Sequence, residues 1–377
     1  MLLAAFFLTA LVFNAASALA PSSSPYSDVG WQLEHGWPSS TQSAIETGKD
    51  GLAKGGLFGQ VTSVHVDDLG RVWVLHRTPE RVWNSRSFDS GGAIRHSQPI
   101  AGHTIIRYPS EDAARIDLQA GQHALQMPHS LTIDLSGNVW IVDCGLHQVL
   151  KFLPGNLEKP VLTLGTALQP GSDHSHFCKP TDVAVRADGA IYVSDGYCNA
   201  RIVQFDSSGN FVRSWGTMGS GPGQFRIPHS LAWDEGAAQL FVADRQNTRV
   251  QVFDGEGSFL REIPAKIFNS PVFAVALDGG ERGHRRLFVS TGEPIGQVHV
   301  LHAGTGEGIS RFRTPRASRG QIMPHDVFVS ARGTVFVAES KLNTLLKYTP
   351  ASSNNRNDTL LARHHPRAQR RNGGDSD

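Results

Sequence analysis

The chain of 377 residues has only three cysteines, Cys144, Cys178 and Cys198, too few for a fold held together by a disulfide framework. Beyond the first twenty residues no apolar run is long enough to cross a bilayer, so no membrane span is expected in the mature chain. Charge of one sign is also missing. The 35 Lys and Arg are matched by 34 Asp and Glu, which leaves no general field for nucleic acid or a membrane surface.

The chain opens with MLLAAFFLTALVFNAASALA, an apolar run that lacks a basic n-region but ends in Ala-Leu-Ala, the small-residue pattern of a signal-peptidase site. The expected organisation is a signal peptide over 1–20, a lead-in segment over 21–55, a repeat domain over 56–350 and a disordered, basic tail over 351–377. The tail holds Asn357-Asp-Thr, an N-glycosylation sequon that has meaning only on the secretory route. Secretion or residence in a granule lumen follows as the expected location, and in that compartment two of the three cysteines can bridge.

The chain also repeats itself. PHSLTIDLSGNVWIVDCGLHQVLKF begins at Pro128, PTDVAVRADGAIYVSDGYCNARIVQF at Pro180, PHSLAWDEGAAQLFVADRQNTRVQVF at Pro228 and PHDVFVSARGTVFVAESKLNTLLKY at Pro324, with looser copies from Val61 and Pro271. Each copy alternates apolar and polar residues and breaks at turn sequences such as SGN, DGA and ARG, as successive hairpins require. A period of about 45 to 65 residues with three or four short strands is that of a propeller blade. The fold class predicted is therefore all-β, a six-bladed β-propeller, and its blades most resemble the NHL type.

Histidine occupies one position of the repeat in alternate copies, as His129, His229 and His325. The other copies place Thr62, Thr181 and Val272 there. Alternate blades of six lie about 120° apart, so the three imidazoles converge on the axis with trigonal symmetry. Three neutral imidazoles with an open fourth position form the donor set of a catalytic zinc site, whereas a lone histidine at a blade corner would merely bond to backbone.

Other side chains belong near the same channel. Asp326 follows His325, and Asp182 holds the matching position of another blade, each suited to orienting a ligand, binding a harder cation or capping a turn. The second strands end in Asp143, Asp195, Asp244 and Glu339, a recurrence that points to a structural tie between blades. Arg77 and Arg245 stand outside that set and suit bidentate capture of a carboxylate. Tyr197, near a cation and two guanidinium groups, is expected to have a lowered pKa and to serve as a base. Linking Cys178 to Cys198 closes a loop of about twenty residues around Tyr197, worth roughly 3 kcal/mol by loop entropy, and leaves Cys144 free.

The segments HFCKPTDVAV, VSDGYCNARIVQF, GPGQFRIPHSLAW, VADRQNTRVQVF and MPHDV resemble those of the peptidylglycine α-hydroxyamidating lyases, from about Gly59 to Tyr348. The resemblance implies cleavage of a peptidyl-α-hydroxyglycine to a peptide amide and glyoxylate on zinc held by His129, His229 and His325. It assigns catalysis to Arg77, Tyr197 and Arg245, and a structural calcium to Asp326 with the backbone carbonyls of Val64 and Leu131. Vertebrate members carry a second cysteine pair where this chain has Phe241 and Val252, so apolar packing must hold that blade. With only some forty residues between Ala20 and the first blade, the hydroxylated substrate is expected from a separate copper monooxygenase, and the propeller itself is expected to be monomeric. The competing expectations are a non-enzymatic propeller that binds a protein or peptide on one face, and a calcium-dependent propeller hydrolase or lactonase.

Overall fold

The computed structural model describes residues 30–38 and 58–351 apart from 97, 281–283 and 317–320, with backbone strands alone at 46–47 and 53–54. The expected signal peptide, most of the lead-in segment and the basic tail with Asn357 lie outside the described residues.

Six four-stranded antiparallel sheets follow one another along the chain. Blade one comprises Val61–Val66, Val72–His76, Ile105–Tyr108 and Leu118–Ala120, and blade two Pro128–Ile133, Val139–Asp143, Gln148–Phe152 and Leu162–Leu164. Blade three is Asp182–Val185, Ile191–Asp195, Arg201–Phe205 and Phe211–Trp215, and blade four Pro228–Asp234, Gln239–Asp244, Arg249–Asp254 and Phe259–Ile263. Blade five is Val272–Leu277, Arg286–Thr291, Gln297–His302 and Gly308–Arg313. Blade six takes three strands from the end of the repeat, Pro324–Val329, Val335–Glu339 and Thr344–Pro350, and its outer strand from Trp31–Leu33. That last pairing, Trp31 opposite Pro350 and Leu33 opposite Tyr348, fastens the two ends of the propeller together. Each blade's first strand packs on the next blade's, and the sixth returns to the first, so the ring closes around these strands.

The interior consists of six apolar clusters, one between each pair of neighbouring blades. Blade four's second strand shows why. Leu240 and Val242 face blade three, while Phe241 and Ala243 face blade five, so successive residues feed opposite clusters. Second strands such as Val139–Asp143 and Ile191–Asp195 are consequently buried along their whole length and continuously apolar up to their last residues. The alternation expected of every strand belongs to the outer ones, where Phe211–Trp215 alternates between half-buried and exposed. Phe241 and Val252 stand directly opposite each other, both buried in the cluster between blades four and five. Apolar packing thus does hold that pair of strands together. The hairpin turns are fixed by aspartates: Asp134 accepts N–H bonds from Ser136 and Asn138 at 2.9 Å each, while Gly137 supplies a φ of 77°.

Candidate metal and active site

The inward corners are built by β-bulges. Pro128 pairs with Asp143 and Ser130 with Val142, so His129 is the extra residue between them. His229 and His325 hold the same place in blades four and six. A bulged residue is left off the ladder, which turns its side chain away from the sheet's two faces. Here it turns toward the axis. Blade one bulges at Thr62 and blade five at Phe273, because Val272 pairs with Thr291 and Ala274 with Ser290. The repeat alignment placed Val272 at this position; the true occupant lies one residue later, because blade five's ladder begins after Pro271 rather than on it.

The carboxylates ending the second strands hold these corners in place. Asp143 accepts the N–H of Gln126 at 2.7 Å and of Met127 at 2.9 Å, just before Pro128-His129. Asp244 does the same for Arg226 at 2.8 Å, Glu339 for Met323 at 2.9 Å and Asp195 for Cys178 at 2.8 Å. In blade one, His76 Nδ1 accepts the Gly59 N–H at 3.3 Å. Each group ties the incoming connector to its own blade, and so fixes where the next residues point.

The three imidazoles are buried and nearly equidistant, with ring centroids 4.8 Å apart for His129 and His229, 4.7 Å for His129 and His325, and 4.9 Å for His229 and His325. Their Nδ1 atoms meet the carbonyl oxygens of Thr181 at 2.6 Å, Phe273 at 2.7 Å and Thr62 at 2.8 Å. Only an N–H can bond a carbonyl, so the protonated nitrogen is Nδ1 and every Nε2 presents a lone pair. The acceptors are the bulge-position residues of the three blades without histidine, which makes the six blades one alternating ring of ligands and orienters. Burial holds all three well below the ordinary histidine range, His325 to about 3, and for His129 and His229 the neighbouring histidines and arginines add to it. The ligand atoms lie within 4.8 Å of one another, and neutral imidazole is the form a metal binds.

The face above the histidines carries Tyr197, Arg77 and Arg245. The Tyr197 hydroxyl lies 3.0 Å from His129 Nε2 and 3.1 Å from His229 Nε2. A Cβ on the preceding Gly196 would come within 2.1 Å of the Pro228 carbonyl oxygen, so only glycine lets the chain approach there. The Cys178–Cys198 disulfide forms, with the two Cα atoms 5.3 Å apart, and closes the loop around Tyr197. Cys144 is free and buried; its S–H donates to the Pro180 carbonyl at 2.9 Å, and burial pushes its pKa up, which leaves it no nucleophilic character. Arg77 and Arg245 come from blades one and four, opposite each other across the axis. Arg77 Nε donates to the Pro128 carbonyl at 3.1 Å, and the Arg245 guanidinium carbon sits 4.2 Å from the centroid of the Phe273 ring. The Tyr197 pKa runs against the sequence-based expectation. In the protein alone burial raises it to about 12, outweighing the downward pull of Arg245 and Arg77.

Below the histidines lies a second polar layer. Asp326 Oδ2 accepts the Ser63 hydroxyl at 2.6 Å and the Val64 N–H at 3.1 Å, and Asp182 Oδ2 accepts the Leu231 N–H at 2.8 Å. Leu131 reaches this layer through Ser63, whose Oγ accepts the Leu131 N–H at 3.0 Å. Burial raises Asp182 to about 6 and Asp326 to about 7, the latter also through repulsion from Asp182. The layer thus unites Asp326, Val64 and Leu131, with Ser63 as the joint. The Val64 group that meets Asp326 is its N–H.

Gln60 and Trp83 also belong to the site, although nothing in the repeat marks either one. Gln60 precedes the first strand, and Trp83 lies in the long insertion between the second and third strands of blade one.

Comparisons with known proteins agree with this architecture. A family model described as a 6-bladed beta-propeller matches residues 174–282. A mouse protein named peptidyl-glycine alpha-amidating monooxygenase is 42% identical over 311 residues, covering 79% of this chain and 31% of that protein. The chain thus spans about a third of the length of that relative. A Caenorhabditis elegans protein named probable peptidyl-alpha-hydroxyglycine alpha-amidating lyase is 33% identical over 299 residues, covering 77% of this chain and 82% of the other. A solved structure of a catalytically inactive virginiamycin B lyase from Staphylococcus aureus with quinupristin shares the fold, at 13% identity and a TM-score of 0.51 over 85% of this chain and 99% of that one.

Proposed function

Because the chain belongs to the peptidyl-α-hydroxyglycine α-amidating lyase family, we propose that it cleaves a C-terminal peptidyl-α-hydroxyglycine to a peptide amide and glyoxylate. The observation that carries this reading is the convergence of three Nε2 lone pairs beneath a face that presents one phenol and two guanidinium groups.

His129, His229 and His325 would hold zinc, since three neutral nitrogen donors suit a borderline metal better than calcium. Bound there, zinc supplies Lewis acidity to an oxygen of the substrate and a positive charge that lowers the pKa of nearby groups. The protein's own residues do the rest. Arg77 and Arg245 offer N–H groups to the glycine carboxylate and to charge that develops on it. Tyr197, once its proton is lost, accepts the proton of the substrate hydroxyl. The O–H electrons form the aldehyde carbonyl as the C–N bond breaks, and the departing amide nitrogen takes a proton that Tyr197 can return. Atoms balance without a redox partner. The arginines favour the Tyr197 phenolate, and the positive charge of a metal held by the neutral histidines would act in the same direction.

Asp326, with the carbonyls of Val64 and Leu131, would hold a structural calcium in the lower layer. The disulfide and the apolar N-terminal run support a place in the secretory lumen. Among the described residues no helix is long and apolar enough to cross a membrane. The substrate would come from a copper peptidylglycine monooxygenase, and the propeller would act as a monomer.

The test is incubation of the purified protein with a synthetic N-acyl-α-hydroxyglycine. Glyoxylate and the N-acyl amide are expected in equal amounts. Release no faster than in buffer, from protein with metal bound, would overturn the reading and favour a propeller that only binds.

A further inference from the structure

The described residues of the blade-one insertion between Thr78 and His103 form an arch along one side of the site mouth. Its buried Arg81 donates to the Gln126 backbone and side-chain oxygens at 3.1 and 3.3 Å and to the Gln98 carbonyl at 2.8 Å. Ile94 fills the space that a Cβ on Gly145 would need, coming within 2.6 Å of it. Gly92 lies against the disulfide, where a Cβ would be 2.9 Å from the Cys178 sulfur. The arch therefore rests on blades one, two and three, and it brings Trp83 to the site. The indole is 4.9 Å from the Tyr197 ring and 4.9 Å from Phe88, and the Arg77 guanidinium carbon lies 5.2 Å from its centroid.

One atom joins this arch to the arginine. Gln60 Oε1 accepts the Trp83 backbone N–H at 2.8 Å and an Arg77 Nη1–H at 3.1 Å. Guanidinium has five N–H donors. Pro128 takes the one on Nε and Gln60 takes one on Nη1. Three donors remain, one on Nη1 and two on Nη2, so the terminal pair of nitrogens keeps the donors with which it can grip a carboxylate in bidentate fashion. Without Gln60 the guanidinium would keep one fixed bond and could rotate about it beneath the indole.

We propose that Gln60 is a positioning residue that, with the Trp83 indole as a wall, locks Arg77 so that its terminal edge faces the substrate carboxylate. This rests on the reading above, in which Arg77 holds that carboxylate. Gln60 therefore acts on the affinity for the acid terminus rather than on bond cleavage.

The experiment compares wild type, Gln60→Met, Gln60→Glu and Arg77→Ala as metal-loaded enzymes, with metal content and thermal unfolding recorded for each. Two readouts are taken: KM and kcat on an N-acyl-α-hydroxyglycine, and the calorimetric Kd of an unreactive N-acylglycine. Gln60→Met is expected to raise KM and Kd about tenfold, the effect of one charged hydrogen bond, while kcat stays within about threefold. Gln60→Glu keeps both accepted bonds but pairs its charge with the guanidinium, so it should weaken binding more than Gln60→Met does. A purely structural role makes the opposite prediction, with Gln60→Glu behaving as wild type, and that result would overturn the proposal. If Arg77→Ala weakens binding and Gln60→Met does not, the role of Gln60 fails alone. If Arg77→Ala changes neither KM nor Kd, the carboxylate reading fails and the proposal falls with it.

Discussion

Gly292→Ala tests how the site wall is packed. Phe273, at the bulge position of blade five, is buried; its ring centroid lies 5.5 Å from that of His229 and 6.0 Å from that of His325, and its face carries the Arg245 guanidinium. A Cβ on Gly292 would lie 2.3 Å from Phe273 Cε2, 3.1 Å from Cδ2 and 3.3 Å from Cζ. Ordinary carbon contact needs about 3.6 Å, so the ring must move by roughly 1.3 Å. Movement toward the axis is opposed by the histidines, so the cost is that of overpacking, about 1–3 kcal/mol. In a domain of this size that lowers Tm by roughly 2–5 °C. Arg245 is displaced along with the ring, and kcat/KM should fall without loss of metal. The assay is thermal unfolding together with glyoxylate kinetics. Adding Phe273→Leu to Gly292→Ala makes room for the new methyl group, so the double variant should be more stable than the sum of the single changes predicts. A Gly292→Ala protein within about 1 °C of wild type, with unchanged kinetics, would refute this packing.

Other outcomes follow from the same geometry. His229→Ala should lose both the bound metal and glyoxylate release, whereas Arg77→Ala should keep the metal, measured by elemental analysis, and lose kcat/KM. His76 is buried, and burial lowers its pKa to about 4 while its Nδ1 accepts the Gly59 N–H. The folded state therefore resists a proton that the unfolded chain takes up near pH 6.5, so the contribution of His76 to stability is present above that pH and lost as pH falls toward 4. His76→Asn, whose amide oxygen accepts the same bond without titrating, should flatten the decline of Tm between pH 7 and pH 5. An unchanged decline would show that His76 is not held neutral.

The repeat made the blades legible because each copy contains its own hairpin turns and apolar strands, and the register of His129, His229 and His325 followed from it. The blade-five position was misplaced by one residue because its ladder begins one residue after its proline, whereas the ladders of the histidine-bearing blades begin on theirs. The closing strand Trp31–Leu33 was not legible either; its partners lie more than three hundred residues away, and three residues carry no periodicity. The recurring acids were recognised as structural, and Asp195 and Asp244 do bond Arg201 and Arg249, but the backbone N–H groups that all four acids hold leave no mark in a side-chain pattern. The same applies to the carbonyls that orient the histidines. Gln60 and Trp83 escaped notice because their roles depend on where an insertion folds back. The raised pKa of Tyr197 reflects its burial beside the histidines, whereas the sequence could supply only its charged neighbours.

The central claim is that three imidazoles hold one metal ion on which lyase activity depends. Chelator-treated protein titrated with zinc measures this directly, with bound metal and glyoxylate release followed in the same samples. Activity should rise linearly and stop at about one zinc per chain, and His229→Ala should show neither binding nor activity. Full activity in the zinc-free protein, or equal activity in His229→Ala, would contradict it.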